Sequence, residues 1–264
     1  MKKYYTIYKM AFKDMMAFKG DFILSIIFNM AFFYVYFAIW KNIYSTGDIN
    51  NIADYTLKNT ITYYFITSLI YRLDLTNSLY MNWEVWTGYF TNYLMKPASI
   101  TLNYLMQTLG DVSVTFILYI PFAAFIYLTV SKYMSFPTGL YWLYFAITLV
   151  LMLAMSFFIN MIMHSLVFKF GDQENNISLV NYLIGFLAGG FFPLAFLGGK
   201  ISTLFHLLPF KYLFDFPCNI FLMKIPPVDI FYGWAMMAIW ILIFYFISKI
   251  IFQKGLKHYT GTGR

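Results

Sequence analysis

The chain has 264 residues, of which 61% are hydrophobic, 23% aromatic and only 11% charged. Soluble domains carry roughly 25% charged residues, so this composition excludes an ordinary soluble globular protein and points to an integral membrane protein. The formal charge of +7 does not indicate a nucleic-acid partner, because the basic residues flank apolar segments instead of gathering in a polar domain. Its one cysteine, Cys218, rules out an internal disulfide framework and a cysteine-based zinc site.

Residues 1–21 (MKKYYTIYKMAFKDMMAFKGD) lack the plan of a secretory signal, which sets a short charged region before an apolar core. Tyr4, Tyr8, Phe12 and Met16 recur near helical spacing, with Lys9, Lys13 and Asp14 on other faces. The pattern predicts an interfacial amphipathic helix. A solvated, lysine-rich start to the first span is the plainer alternative. Residues 22–40 carry no charge and come close to the roughly 20 residues a helix needs to cross a bilayer. A polar loop at 41–59 leads to a second predicted span at 60–80, with Arg72 and Asp74 in its later part.

The stretch NWEVWTGYFTNYLMKPAS follows at 82–99. A third predicted span covers 103–130, with Asp111 near its start and Pro121 inside, where a proline removes one backbone donor. Residues 140–163 form the fourth, and 164–175 turn polar. The fifth is expected at 177–196; its Gly185, Ala188, Gly189 and Gly190 permit close helix approach. Residues 197–228 are apolar but broken by Pro209, Pro217, Pro226 and Pro227. Helical runs of about ten residues suit a re-entrant hairpin better than a full crossing. A seventh crossing is the competing reading, and it would strand the lysines of the C-terminal tail on the opposite side. The sixth span is expected at 230–252.

The expected fold is therefore one all-α membrane domain of six spans, with both termini on the same side. Lys and Arg counts set the orientation. The N-terminal segment, the 72–103 region, the 164–176 loop and the C-terminal end from Lys249 hold twelve, against six in the loops at 41–59, 131–138 and 198–228. The termini are expected in the cytosol.

Catalytic sets are missing from the sequence. His164, His206 and His258 lie apart with no HExxH pairing. No GxSxG elbow occurs. GGKIS at 198–202 lacks the earlier glycine of a P-loop, and an isoleucine follows its lysine. No catalytic, cofactor-binding or metal-binding residue is expected. Arg72, Asp74 and Asp111 are the intramembrane or interfacial charges. All three fall near the expected cytosolic ends of their spans, where interfacial placement is the simpler account. No span carries a carboxylate near its midpoint, which argues against a proton-coupled carrier.

The order of these parts resembles the permease subunits of ABC-2 type exporters, in particular a bacterial subgroup found as paired permeases with a separate ATPase. Leu94-Met95-Lys96-Pro97 is similar to a Leu-Leu-(Arg/Lys)-Pro ending. GGFFPLAFL at 189–197 and LLPFKYLFDFPCNIFLMK at 207–224 resemble a Gly-x-x-x-Pro-Leu segment and a later Leu-Pro-Phe block, and Lys254-Gly255 follows the last span. Trp86, Thr87 and Gly88 depart from the family pattern, which often has arginine-serine-glycine with an acidic residue; Tyr89 or Phe90 takes the acidic position.

The resemblance implies a non-catalytic subunit in the bacterial cell membrane. ATP and Mg would sit on two copies of a cytosolic ABC ATPase, and a second permease chain, identical or paralogous, would complete the pathway. It gives residues 82–96 the role of a coupling helix, with Trp83, Glu84, Trp86, Gly88, Phe90, Tyr93, Lys96 and Pro97 as contact residues. On one continuous helix Trp83, Trp86, Phe90, Tyr93 and Leu94 share a side, and Asn82, Glu84, Thr91 and Asn92 lie elsewhere. A plain interfacial anchor is the other reading of that aromatic stripe. Pro193, Pro209, Phe210 and Pro217 are the candidate outer gate, or parts of a lid that only seals. The aromatic content suits a hydrophobic or amphiphilic substrate in a lipid setting. A secondary transporter or channel working without an ATPase is the alternative.

Overall fold

The computed structural model describes residues 2–17, 19–47, 51–73, 80–96 and 98–261. Asp74 and Pro97 fall outside the described residues. Twelve α-helices are present among those described: α1 (Lys2–Ala17), α2 (Lys19–Thr46), α3 (Leu57–Leu73), α4 (Met81–Trp86), α5 (Thr91–Leu94) and α6 (Ile100–Val130), then α7 (Tyr141–Ser165), α8 (Val167–Phe170), α9 (Glu174–Leu187), α10 (Gly199–Leu207), α11 (Asp215–Phe221) and α12 (Pro227–Leu256). An isolated bridge between Ile52 and Tyr55 is the nearest approach to β-structure among the described residues.

Four stretches are long and apolar enough to cross a membrane: Ile23–Thr46, Ile100–Tyr133, Tyr141–Phe170 and Pro227–Leu256. Local chemistry explains their limits. The Ser99 hydroxyl accepts the Leu102 N–H at 3.4 Å and caps the start of α6. Pro226 and Pro227 open α12, where a missing backbone N–H costs nothing. Pro121 removes one donor inside α6 without ending the helix. The shorter α3 and α9 have 17 and 14 residues, about 26 and 21 Å at 1.5 Å per residue.

The expected fifth span at 177–196 requires correction. Helix α9 stops at Leu187, and residues 194–197 form a separate 3-10 turn. Gly189 has a φ of +82°, a conformation that favours glycine, and the Gly190 N–H returns to the Gly185 carbonyl at 2.8 Å. The Ala188 carbonyl is taken by the Asp215 N–H at 3.0 Å, so a partner distant in sequence replaces the helical bond. The expected 82–96 helix is also corrected: it is two short helices, α4 and α5, joined through Gly88 at φ +78°.

Helices α7 and α12 pack along each other, as do α1 and the first half of α6. The Tyr8 hydroxyl donates to Ser113 Oγ at 3.1 Å, and the Ser99 N–H reaches the Tyr4 hydroxyl at 3.2 Å. Gly110 makes this closeness possible. A Cβ there would meet the Ala11 Cβ at 2.8 Å, the Tyr8 carbonyl at 2.9 Å and the Phe12 nitrogen at 3.0 Å. Two of these are backbone atoms, which cannot swing aside. Gly110→Val is expected to pry α1 from α6 at a cost of about 1–3 kcal/mol. Limited trypsin digestion checks this: Lys9 and Lys13 become early cleavage sites, and an unchanged pattern would contradict the packing account.

Two buried apolar clusters hold the bundle. One gathers Met81, Val85, Phe90, Tyr104, Phe157 and Phe168 at the end that carries both chain termini. The larger one includes Tyr63, Phe65, Met152, Met155, Phe214 and Phe221 and extends to the opposite end. At that opposite end, Gly233 of α12 lies against the Phe216 ring of α11, leaving no space for a Cβ.

Candidate functional site

The segment after α3 is built around a buried carboxylate. Helix α4 is amphipathic: Met81, Asn82, Glu84 and Val85 turn inward, and Trp83 and Trp86 turn outward. Glu84 is 5% exposed, and its carboxylate accepts the Tyr93 hydroxyl at 2.7 Å and the Tyr104 hydroxyl of α6. Gln107 supports this pair by donating to the Tyr93 oxygen at 3.1 Å. Burial raises the Glu84 pKa, opposed by the two phenol hydrogen bonds. Asn82 ties the other flank down, donating to Asp172 at 2.7 Å and accepting the Gln173 N–H at 3.0 Å.

Gly88 reverses the chain, and the Phe90 N–H returns to the Glu84 carbonyl at 2.9 Å. Phe90 is fully buried, edge-on to Phe168 and Tyr259. The Tyr259 hydroxyl bonds the Gly88 carbonyl at 3.1 Å and the Thr91 hydroxyl at 3.0 Å. The C-terminal segment thereby clasps the turn.

The single aromatic side expected for 82–96 is accordingly corrected. The Gly88 reversal places Phe90 in the core, whereas Trp83, Trp86 and Tyr89 are 57%, 52% and 54% exposed. Trp83 and Tyr89 meet across the reversal as a tilted pair, with ring centroids 6.1 Å apart. Tyr93 is half-buried, and Leu94 and Lys96 are exposed. Glu84 is unavailable as a surface contact because its carboxylate is spent inside. Tyr104 and Tyr259 were not legible as members of this site: one sits in an apolar helix and the other in a basic tail.

A second polar centre lies at the opposite end. Asp215, 3% exposed, accepts the Tyr63 hydroxyl at 3.1 Å, the Leu194 N–H at 3.1 Å and the Asn219 amide at 2.9 Å. Tyr63 also donates to the Gly189 carbonyl at 2.6 Å, and Tyr55 donates to Asn219. The hub knits α3, the turn after α9, and α11. Asp215 was not among the expected site residues, although a lone acid in the apolar run LFDFPCNI is a signal of its own. Of the candidate gate residues, Pro193, Pro209 and Pro217 are buried and Phe210 is half-buried. Pro193 precedes the 194–197 turn, Pro209 and Phe210 open the 209–212 turn, and Pro217 sits in the first turn of α11.

The membrane charges do not converge. Arg72 donates to the Ser25 carbonyl of α2 at 3.2 Å and faces Tyr119 of α6. Asp111 faces Asp14 of α1. Tyr119 lies eight residues beyond Asp111, about 12 Å along the helix axis, so the two charges occupy different levels.

An all-helical bundle with four stretches fit to cross a bilayer is a multi-pass membrane protein. Residues 11–263 match the family model described as ABC-2 family transporter protein. The match covers nearly the whole chain, and the protein belongs to that family. Such membrane proteins generally work with an ABC ATPase. No curated protein matches the chain.

Proposed function

We propose that this chain is the non-catalytic permease subunit of an ABC-2 exporter in the bacterial cell membrane. Two permease chains, identical or paralogous, form the pathway between them, and two copies of a cytosolic ATPase drive it. ATP and Mg belong to that partner. The chain crosses the bilayer six times, through α2, α3, α6, α7, α9 and α12. This count is supported by alternating contacts: Tyr44 near Tyr55 and Thr60, Arg72 near Ser25, Ser135 near Thr62, and Asn82 near Gln173. The excess of Lys and Arg at the termini end favours a cytosolic placement for it. Residues 197–228 then form a broken segment at the outer face, where they gate or seal the exit for a hydrophobic or amphiphilic cargo.

One observation carries the assignment: the α4–Gly88–α5 element is anchored from within by Glu84 and Phe90, yet offers Trp83, Trp86 and Tyr89 outward. A motor that pushes on the membrane domain needs a stiff contact. An element held by a buried carboxylate and a buried ring moves with the helices beneath it. Exposed aromatics on a rigid base are typical anchors for a partner groove.

Trp86→Ala is expected to reduce retention of the ATPase in co-purification at least fivefold, or to uncouple ATP hydrolysis from transport, with the thermal unfolding temperature unchanged. Parent-level assembly and coupling in this variant would sink the coupling assignment. Transport by the chain in vesicles without any ATPase would favour a secondary transporter or channel instead.

A further inference from the structure

A cavity of about 510 Å³ opens at the end opposite the termini, between the 53–55 loop, the 209–219 region and the start of α12. Its lining mixes apolar side chains with three carboxylates, Asp54, Asp215 and Asp229. Lys211 and Lys224 line it together with His206. Lys224 donates to the Asp54 main-chain carbonyl at 2.9 Å and lies 3.3 Å above the Tyr55 ring. Lys211 lies 5.0 Å from the centre of the Tyr212 ring. Neither ammonium meets a carboxylate within ion-pair distance among the described residues. Burial lowers both lysine pKa values, opposed by the charge of Asp215 and, at Lys224, of Asp54 as well. Asp215 in the wall is already occupied by three donors, and Asp54 and Asp229 sit exposed at the rim.

The opposite wall grades from polar to apolar. Asp229, Tyr232 and Met236 line the cavity in succession along α12. Tyr232 and Met236 are 69% and 43% exposed. They lie five and nine residues past Pro227, about 8 and 14 Å down the helix axis. The cavity therefore begins at a charged rim and runs along a helix flank toward hydrocarbon depth. Its volume falls within the range of small-molecule sites, roughly 300–1,000 Å³.

We propose that this cavity binds an anionic amphiphile, with Lys211 and Lys224 on a phosphate-bearing headgroup and the apolar chain leaving along Tyr232 and Met236. The inference rests on the permease reading only for the placement of α12 across the bilayer. Ammonium groups supply point-charge hydrogen bonds to phosphate oxygens, and each of these lysines lies beside a tyrosine ring of the cavity lining. A free inorganic anion would use the same lysines but would leave the apolar flank idle.

The test uses the full chain in phosphatidylcholine nanodiscs, with fluorescent lysophosphatidic acid as the probe. Lys211→Gln and Lys224→Gln are each expected to weaken probe binding about tenfold. Met236→Trp, which fills the apolar arm without touching either lysine, is expected to weaken it severalfold. Lys132→Gln, outside the cavity, is expected to leave it unchanged. Parent affinity in both lysine variants would overturn the site. Equal affinity for fluorescent lysophosphatidylcholine would overturn the anionic preference. Displacement by inorganic phosphate at the same concentration as unlabelled lysophosphatidic acid would overturn the amphiphile in favour of a free anion. ATPase retention is measured on the same lysine variants and is expected to match the parent. Loss of probe binding with retention intact, or the reverse in Trp86→Ala, separates the two proposals.

Discussion

Glu84→Ala is expected to destabilise the protein by about 2–4 kcal/mol, because two phenol donors lose their acceptor and each buried orphan costs roughly 1–3 kcal/mol. The Tyr104 hydroxyl has no route to water from a fully buried side chain, so its loss dominates. Released from the carboxylate, Tyr93 no longer fixes the stretch after Gly88. Thermal unfolding measures the stability term. ATPase stimulation by the assembled complex measures the rigidity term, and it should fall further in Glu84→Ala than in Tyr93→Phe. Equal unfolding temperatures for Glu84→Ala and the parent would refute the buried-anchor account.

The same carboxylate gives the turn a pH dependence. Burial raises the Glu84 pKa, so the folded chain holds this proton more readily than the unfolded chain. The associated stability is fully present below the ordinary carboxylate range. It declines as pH rises through the raised folded-state pKa and is level above it. Glu84→Gln removes the titration and is expected to flatten that part of the unfolding-temperature profile. Parallel profiles for parent and Glu84→Gln would show that Glu84 is not its source.

Asp215→Ala should be the most damaging substitution at the other end, costing about 3–5 kcal/mol. Three donors converge on that carboxylate, from the Tyr63 hydroxyl, the Leu194 backbone and the Asn219 amide. Their loss detaches the turn after α9 from α11 and α3 together. Tyr63→Phe removes one spoke and is expected to cost about 1–2 kcal/mol. Asp215→Asn keeps the shape but brings an NH2 group toward donors, so an intermediate loss follows. Chemical unfolding ranks the three, and early trypsin cleavage at Lys211 in Asp215→Ala reports the detachment. If Asp215→Ala unfolds with the parent, the hub does not organise this end.

The long helices were legible because lipid leaves the backbone no other option, and an uncharged run such as 22–40 states it openly. The proline breaks at 209, 217 and 226–227 likewise marked the short helices between α9 and α12. Two features were hidden, for one reason. Helical periodicity assumes an unbroken helix, and Gly88 and Gly189 break it where the flanking residues look continuous. Unbroken periodicity puts Phe90 beside Trp83 and Trp86, and it carries α9 nine residues past Leu187. Glycines at both positions were visible, but their left-handed backbone depends on partners far along the chain: Tyr259 for one, Tyr63 and Asp215 for the other. The buried acids were underrated similarly. Glu84 read as a surface charge because its acceptor role needs Tyr104, a residue twenty positions away in an apolar helix.

Helix α12 runs 30 residues without an internal proline, about 45 Å end to end. Just past its final turn, Tyr259 grips the Gly88 carbonyl and the Thr91 hydroxyl. Near its first turn, Gly233 is seated against Phe216 of α11 with no slack between them. It is a connecting rod with a fitting at each end. The Gly88 turn and α11, at opposite ends of the bundle, are thereby tied to one and the same stretch of chain.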